Sequence, residues 1–167
     1  ANIEHQNTNS KTALTLAAQF GHTDTVLALT AAGANIEHHD TEGDTALTLA
    51  ALTGHTDTVK ALTAAGANIE HHDTSGYTAL TLAAQFGHTD TVKALIAAGA
   101  DIEHQTTAGH TALIAAAGSG HTDTVKALIA AGAKIEHQDT DGDTALTLAA
   151  LFNHTDTVKA LIAAGAN

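Results

Sequence analysis

The chain repeats itself every 33 residues. Gly33, Gly66, Gly99, Gly132 and Gly165 keep that spacing, and the segments 1–33, 34–66, 67–99, 100–132 and 133–165 each begin Ala-x-Ile-Glu-His. A period of this length marks a stack of small units, each burying one face against its neighbours and unable to stand alone. Such an array has no single core, so residues 1–167 are read as one elongated, cooperative domain whose function depends on a surface and not on one catalytic pocket.

Within a unit the order is a turn (Asp40-Thr41-Glu42-Gly43-Asp44), a first helix (Thr45 to Ala51), a Gly54-His55 junction and a second helix from Thr56 to Ala65 closed by Gly66-Ala67. Val59, Leu62 and the Thr63 position (Ile96, Ile129 and Ile162 in later units) fall at i, i+3 and i+4 and make one apolar stripe, away from Lys60, Lys93, Lys126 and Lys159. Thr56 is expected to cap the second helix with its hydroxyl, Asp57 suits the positive end of the dipole, and Gly66 supplies a left-handed ending. The first helix ends at Gly21, Gly54, Gly87, Gly120 and Asn153, and Asn is the next best residue for that conformation.

These motifs resemble the ankyrin repeat over essentially the whole chain, with the pattern D-x-x-G-x-T-P-L-H-x-A-A-x-x-G-H-x-x-x-V-x-x-L-L-x-x-G-A. The resemblance implies an all-α repeat solenoid of helix-turn-helix units with β-hairpin fingers. Fingers and first helices would line a concave, protein-binding face, with second helices on the convex back. Two departures matter. Thr45-Ala46-Leu47-Thr48 stands where the family carries Thr-Pro-Leu-His, and the chain has no proline. The family histidine becomes Thr15, Thr48, Thr81, Ile114 and Thr147, so the bonds tying one finger to the next are expected to be weaker or differently made.

Units two and three differ only at Glu42/Ser75, Asp44/Tyr77, Leu52/Gln85, Thr53/Phe86 and Thr63/Ile96. Four of these lie at the fingertip or the end of the first helix. Extended through the array, those columns give a candidate partner-binding set: Lys11, Phe20, Glu42, Asp44, Leu52, Tyr77, Gln85, Phe86, His110, Asp143, Leu151 and Phe152. All three phenylalanines and the single tyrosine fall there, outside the expected core. Exposed aromatics are common interface anchors, which favours a binding face over mere tolerance of change at exposed positions.

Charge and motifs narrow the alternatives. The net charge of -12, with six lysines and no arginine, would repel a phosphate backbone, so no nucleic-acid partner is expected. No apolar run approaches a membrane span and no signal-peptide pattern is present, while the absence of cysteine leaves the compartment undetermined. Ten of the thirteen histidines form two ladders, at His22, His55, His88, His121, His154 and at His5, His38, His71, His104, His137, with His39, His72 and His110 outside them. Equivalent residues in stacked layers lie about 8–10 Å apart and cannot share an ion, so no metal or other cofactor is expected. No nucleophile elbow, P-loop or dinucleotide fingerprint points to an enzyme.

Absence of several residue types, the in-register start and the near-identity of units two and three suggest a consensus-built or designed array, with a recently duplicated natural segment as the alternative. An array made for structure alone would have no target. Because neither end unit looks specialised, weak head-to-tail self-association is a further expectation.

Overall fold

The computed structural model describes residues 2–167, which form ten helices in five pairs. The first helices are α1 (Ala13–Gln19), α3 (Ala46–Leu52), α5 (Ala79–Gln85), α7 (Ala112–Gly118) and α9 (Ala145–Leu151). The second helices are α2 (Thr23–Ala31), α4 (Thr56–Ala64), α6 (Thr89–Ala97), α8 (Thr122–Ala130) and α10 (Thr155–Ala163). First helices pack on first helices of adjacent units, second helices on second helices, and each pair closes on itself. This is the all-α solenoid expected from the period.

Helices of seven and nine residues are too short to persist alone, so caps and stacking must hold them. Each first helix is capped by a threonine, Thr12, Thr45, Thr78, Thr111 or Thr144, whose hydroxyl accepts the backbone N–H three residues on. In the first and last units the bond is reciprocal: Thr15 and Thr147 accept the N–H of Thr12 and Thr144 at 2.9 and 2.8 Å. The chain then turns through left-handed residues at Gly21, Gly54, Gly87, Gly120 and Asn153, the last with φ of 60°.

That junction is doubly specified. A Cβ at Gly21, Gly54, Gly87 or Gly120 would run into the imidazole of the next unit's histidine, His55, His88, His121 or His154. Two of these rings are fixed by donating Nε2–H to a carbonyl of the preceding unit, His88 to Leu52 and His154 to Gly118, both at 3.0 Å. The junction ladder is therefore framework.

The second helices correct one expectation. His22, His55, His88, His121 and His154 occupy the N-cap, with no side-chain capping bond. The threonine hydroxyls turn instead to the next unit: Thr23 with Thr58, Thr56 with Thr91, Thr89 with Thr124 and Thr122 with Thr157, each pair at 2.8 Å. Thr58, Thr91, Thr124 and Thr157 are buried. A buried hydroxyl needs a partner, and the repeat supplies one from the adjacent layer.

The core runs along the stack. Leu14, Leu47, Leu80 and Leu113 lie between the helix rows with Val26, Val59, Val92, Val125, Leu62, Leu95, Leu128 and Leu161, all essentially inaccessible. Ala18, Ala51, Ala84 and Ala117 are fully buried, and their small side chains let the first helices approach closely. Fully burying one of the leucines is worth about 1.5–3 kcal/mol. Among the described residues no helix is long and apolar enough to cross a membrane.

The fingers are tight turns and not hairpins with strands. Among the described residues, bridges occur only in the second and third, between His39 and Thr45 and between His72 and Thr78. Each turn is closed by backbone bonds, such as Asp40 N–H to the Asp44 carbonyl and Gly43 N–H to the Asp40 carbonyl.

Candidate partner-binding face

An Asx-type bond organises most fingertips. The Asp40 carboxylate accepts the N–H of Glu42 and Asp44, Asp73 that of Ser75 and Tyr77, and Asp139 that of Asp141 and Asp143, at 2.8–3.0 Å. In the fourth finger Thr106 takes the place of the aspartate and its hydroxyl accepts the His110 N–H at 3.2 Å.

Fingers are joined by bonds that the sequence columns did not assign. Nε2–H of His38, His71, His104 and His137 donates to a carbonyl of the preceding finger, at Ser10, Gly43, Gly76 and Gly109, over 2.6–3.1 Å. Thr41, Thr74, Thr107 and Thr140 add backbone N–H bonds to Asn9, Glu42, Ser75 and Ala108. The tie lost with the family histidine is thus made by the second histidine ladder. Glu4, Glu37, Glu70, Glu103 and Glu136 each accept the N–H that opens the following segment, at Asn35, Asn68, Asp101, Lys134 and Asn167. The glutamates are framework too.

Beside this framework the candidate residues divide. Phe20, Phe86 and Phe152 follow the last residue of α1, α5 and α9 and are 62%, 49% and 56% exposed, and Leu151 is 70% exposed. They recur at one structural position, so they project from one side of the stack. Leu52 and Gln85 are half-buried at the last position of α3 and α5, Tyr77 is half-buried at its fingertip, and Glu42 is exposed at its own.

Of the remaining fingertip residues, Lys11 and His110 contact the next finger and Asp143 bonds within its own unit. Lys11 reaches Asp40 with Nζ 3.6 Å from Oδ2 and also donates to Gln19 Oε1 at 2.9 Å. His110 Nε2 lies 3.2 Å from Asp139 Oδ2. Asp143 accepts the Thr147 hydroxyl at 2.9 Å. Asp44, read from sequence as a surface contact, is instead buried at 6% exposure, and its Oδ1 has no hydrogen-bond partner.

Two of these carboxyls depart from ordinary behaviour in opposite directions. Burial pushes the Asp44 carboxyl up; the Thr48 hydroxyl opposes this, and the charges of Asp40, Asp73 and Glu42 add to it. Burial acts the same way on Asp139, but the N–H groups of Asp143 and Asp141, then His110, outweigh it and hold that carboxyl below its usual range. Among the described residues no three His, Cys, Asp or Glu side chains converge as a metal-ligand group.

The ends expose the stacking surface that inner units bury. At the first unit a cavity of about 550 Å³ is lined by Ile3, Ala13, Leu16 and Leu29 with His5 and Lys11. At the fifth, Ile162 is 57% exposed and Leu146, Leu148 and Val158 are half-buried. Asn153 stands where the inner units have glycine beneath the next imidazole, so a second copy continuing the register would bring His22 against its side chain.

The helix pairs, the glycine-histidine junctions and the linked fingertips define a class, the ankyrin-type solenoid. The family model for ankyrin repeats in three copies matches residues 14–106 and 80–167, and the chain belongs to the ankyrin-repeat family. Ankyrin repeats are generally protein–protein interaction modules, and the family is generally non-enzymatic. A search of curated proteins finds no match.

Proposed function

We propose that the chain is a non-catalytic binding module that takes a protein partner on the side carrying the fingertips and first-helix ends. One observation carries the reading: Phe20, Phe86 and Phe152 recur, largely exposed, at one position that the core does not use. Aromatic rings left in water beside a rigid framework are the usual anchors of an interface. Tyr77, Leu52, Leu151 and Gln85 extend the row, with Lys11, Glu42, His110 and Asp143 at its polar margin.

The test is capture of partners from a displayed protein library by the parent and by the Tyr77→Ala/Phe86→Ala variant. Loss of binding with an unchanged melting temperature is expected. Partners that bind both forms equally sink the proposal. An array with no target is the second reading, favoured by the near-identity of its inner units, and it predicts that nothing is captured. The apolar outer faces of units one and five support weak end-to-end contact, while Asn153 opposes the version that continues the register.

A further inference from the structure

Every finger but the first is tied to the one before it. His38, His71, His104 and His137 donate Nε2–H to a carbonyl of the preceding finger, and the threonine three residues after each adds its backbone N–H. In the first unit the corresponding donors are His5 and Thr8, and among the described residues neither the His5 ring nor the Thr8 N–H has a partner. His5 lines the cavity of about 550 Å³ on the outer face of that unit. Ala13, Leu16 and Leu29 supply its apolar wall together with Ile3, and their counterparts in the second unit, Ala46, Leu49 and Leu62, are buried. The repeat thus shows what this place accepts: carbon over the wall and an oxygen at the imidazole.

A second copy continuing the stack would offer both, but two contacts oppose it. Its His22 would meet the Asn153 side chain, and Asn167, whose N–H is held by Glu136 at 3.0 Å, fills the position that its Asn2 would take. The hollow is instead of the size and character of a small-molecule site, apolar with a few polar groups that fix orientation. Charge favours an anion there. Lys11, the only lysine of residues 1–33, also lines the cavity, and that segment sets two acids against it, whereas residues 34–66 set five acids against one lysine. In a chain of net charge -12 this end repels an anion least. A neutral imidazole carries one N–H, and an oxygen acceptor selects the Nε2–H form that the rest of the ladder uses.

We infer that the outer face of the first unit is a binding site for a small amphipathic carboxylate. Its alkyl chain covers Ile3, Leu16 and Leu29, its carboxylate accepts the His5 Nε2–H, and Lys11 supplies positive charge at the rim. The site shares no residue with Tyr77, Phe86 or Phe152, so it stands or falls apart from the aromatic row.

The probes are octanoate, 1-octanol and octylammonium, each followed through the NMR methyl signals of Ile3, Leu16 and Leu29 and the ring signals of His5. Octanoate is expected to shift these signals saturably and to bind about tenfold tighter than octanol, the margin a charge-assisted hydrogen bond supplies, with octylammonium the weakest. His5 is exposed, so His5→Phe leaves the fold intact and keeps the wall apolar; it should bring octanoate down to the level of octanol. An undiminished preference for octanoate in that variant overturns the assignment, and so does octylammonium binding as tightly as octanoate. Comparable shifts at Leu146 and Ile162, on the exposed face of the fifth unit, would show adhesion to any apolar end and overturn the site. Signals of the first unit that move when the protein alone is concentrated, and that octanoate does not restore, would give the face to a second copy and overturn it as well.

Discussion

The junction of fingers two and three and that of fingers four and five share the histidine tie and an aspartate-closed turn in the second finger of each, yet have opposite electrostatics. In one, buried Asp44 keeps an unpartnered oxygen and feels the charges of Asp40, Asp73 and Glu42; in the other, the Asp139 carboxylate is met by His110 and by the N–H groups of Asp141 and Asp143. Framework alone therefore closes a finger junction. The facing pair decides whether that closure is relaxed or loaded.

The largest expected effect comes from making the relaxed junction resemble the loaded one. His110→Asp sets a second carboxylate beside Asp139 and should destabilise the chain by about 1–2 kcal/mol at neutral pH, between the limits for exposed and buried pairs. Denaturant unfolding measures it, and an unchanged midpoint would break the comparison. The converse change, Asp44→Asn, removes the like charge and should stabilise by about 0.5–1 kcal/mol. A loss of stability of that size would mean that the Asp44 charge is satisfied after all.

The pH dependence separates the two junctions by sign. Asp139 has its pKa lowered in the fold, so its stabilisation is present above the ordinary value of 3.8 and is lost as pH falls through and below it. Asp44 has its pKa raised, so its ionisation works against folding above the folded value, and the penalty is relieved as pH falls from there toward 3.8. The cost of Asp139→Asn and the gain of Asp44→Asn should both shrink on acidification, the gain from Asp44→Asn fading first. Unfolding curves at stepped pH that keep the Asp44→Asn gain constant down to 3.8 would remove the distinction.

Much of this was legible in the sequence. The period, the left-handed glycine columns and the Val59 and Leu62 stripe specified the stack, because local spacing and burial point to the same answer in every copy. What sequence missed were relations between copies. Thr56 reads as a cap when taken alone, and only the neighbouring unit reveals that its hydroxyl belongs to Thr91. His71 reads as one rung of a histidine ladder until the Gly43 carbonyl of the previous finger is beside it. Asp44 looked like any fingertip position, since the charges that bear on it include that of Asp73, which is 29 residues away by the numbering. Comparing position n with n+29 along the chain would have exposed the Lys11/Asp40 and His110/Asp139 pairs, and the clash between them, from sequence alone.

The central claim is that the stack is held by its repeated framework and leaves the aromatic row free for a partner. The most direct measurement compares melting temperatures of the Tyr77→Ala/Phe86→Ala variant and of Leu80→Ala with the parent. The leucine, 1% exposed, should cost about 2–5 kcal/mol, while the aromatic pair should leave the transition almost where it was. A loss in the aromatic variant comparable to that of Leu80→Ala would contradict the account, because Tyr77 and Phe86 would then be part of what holds the stack.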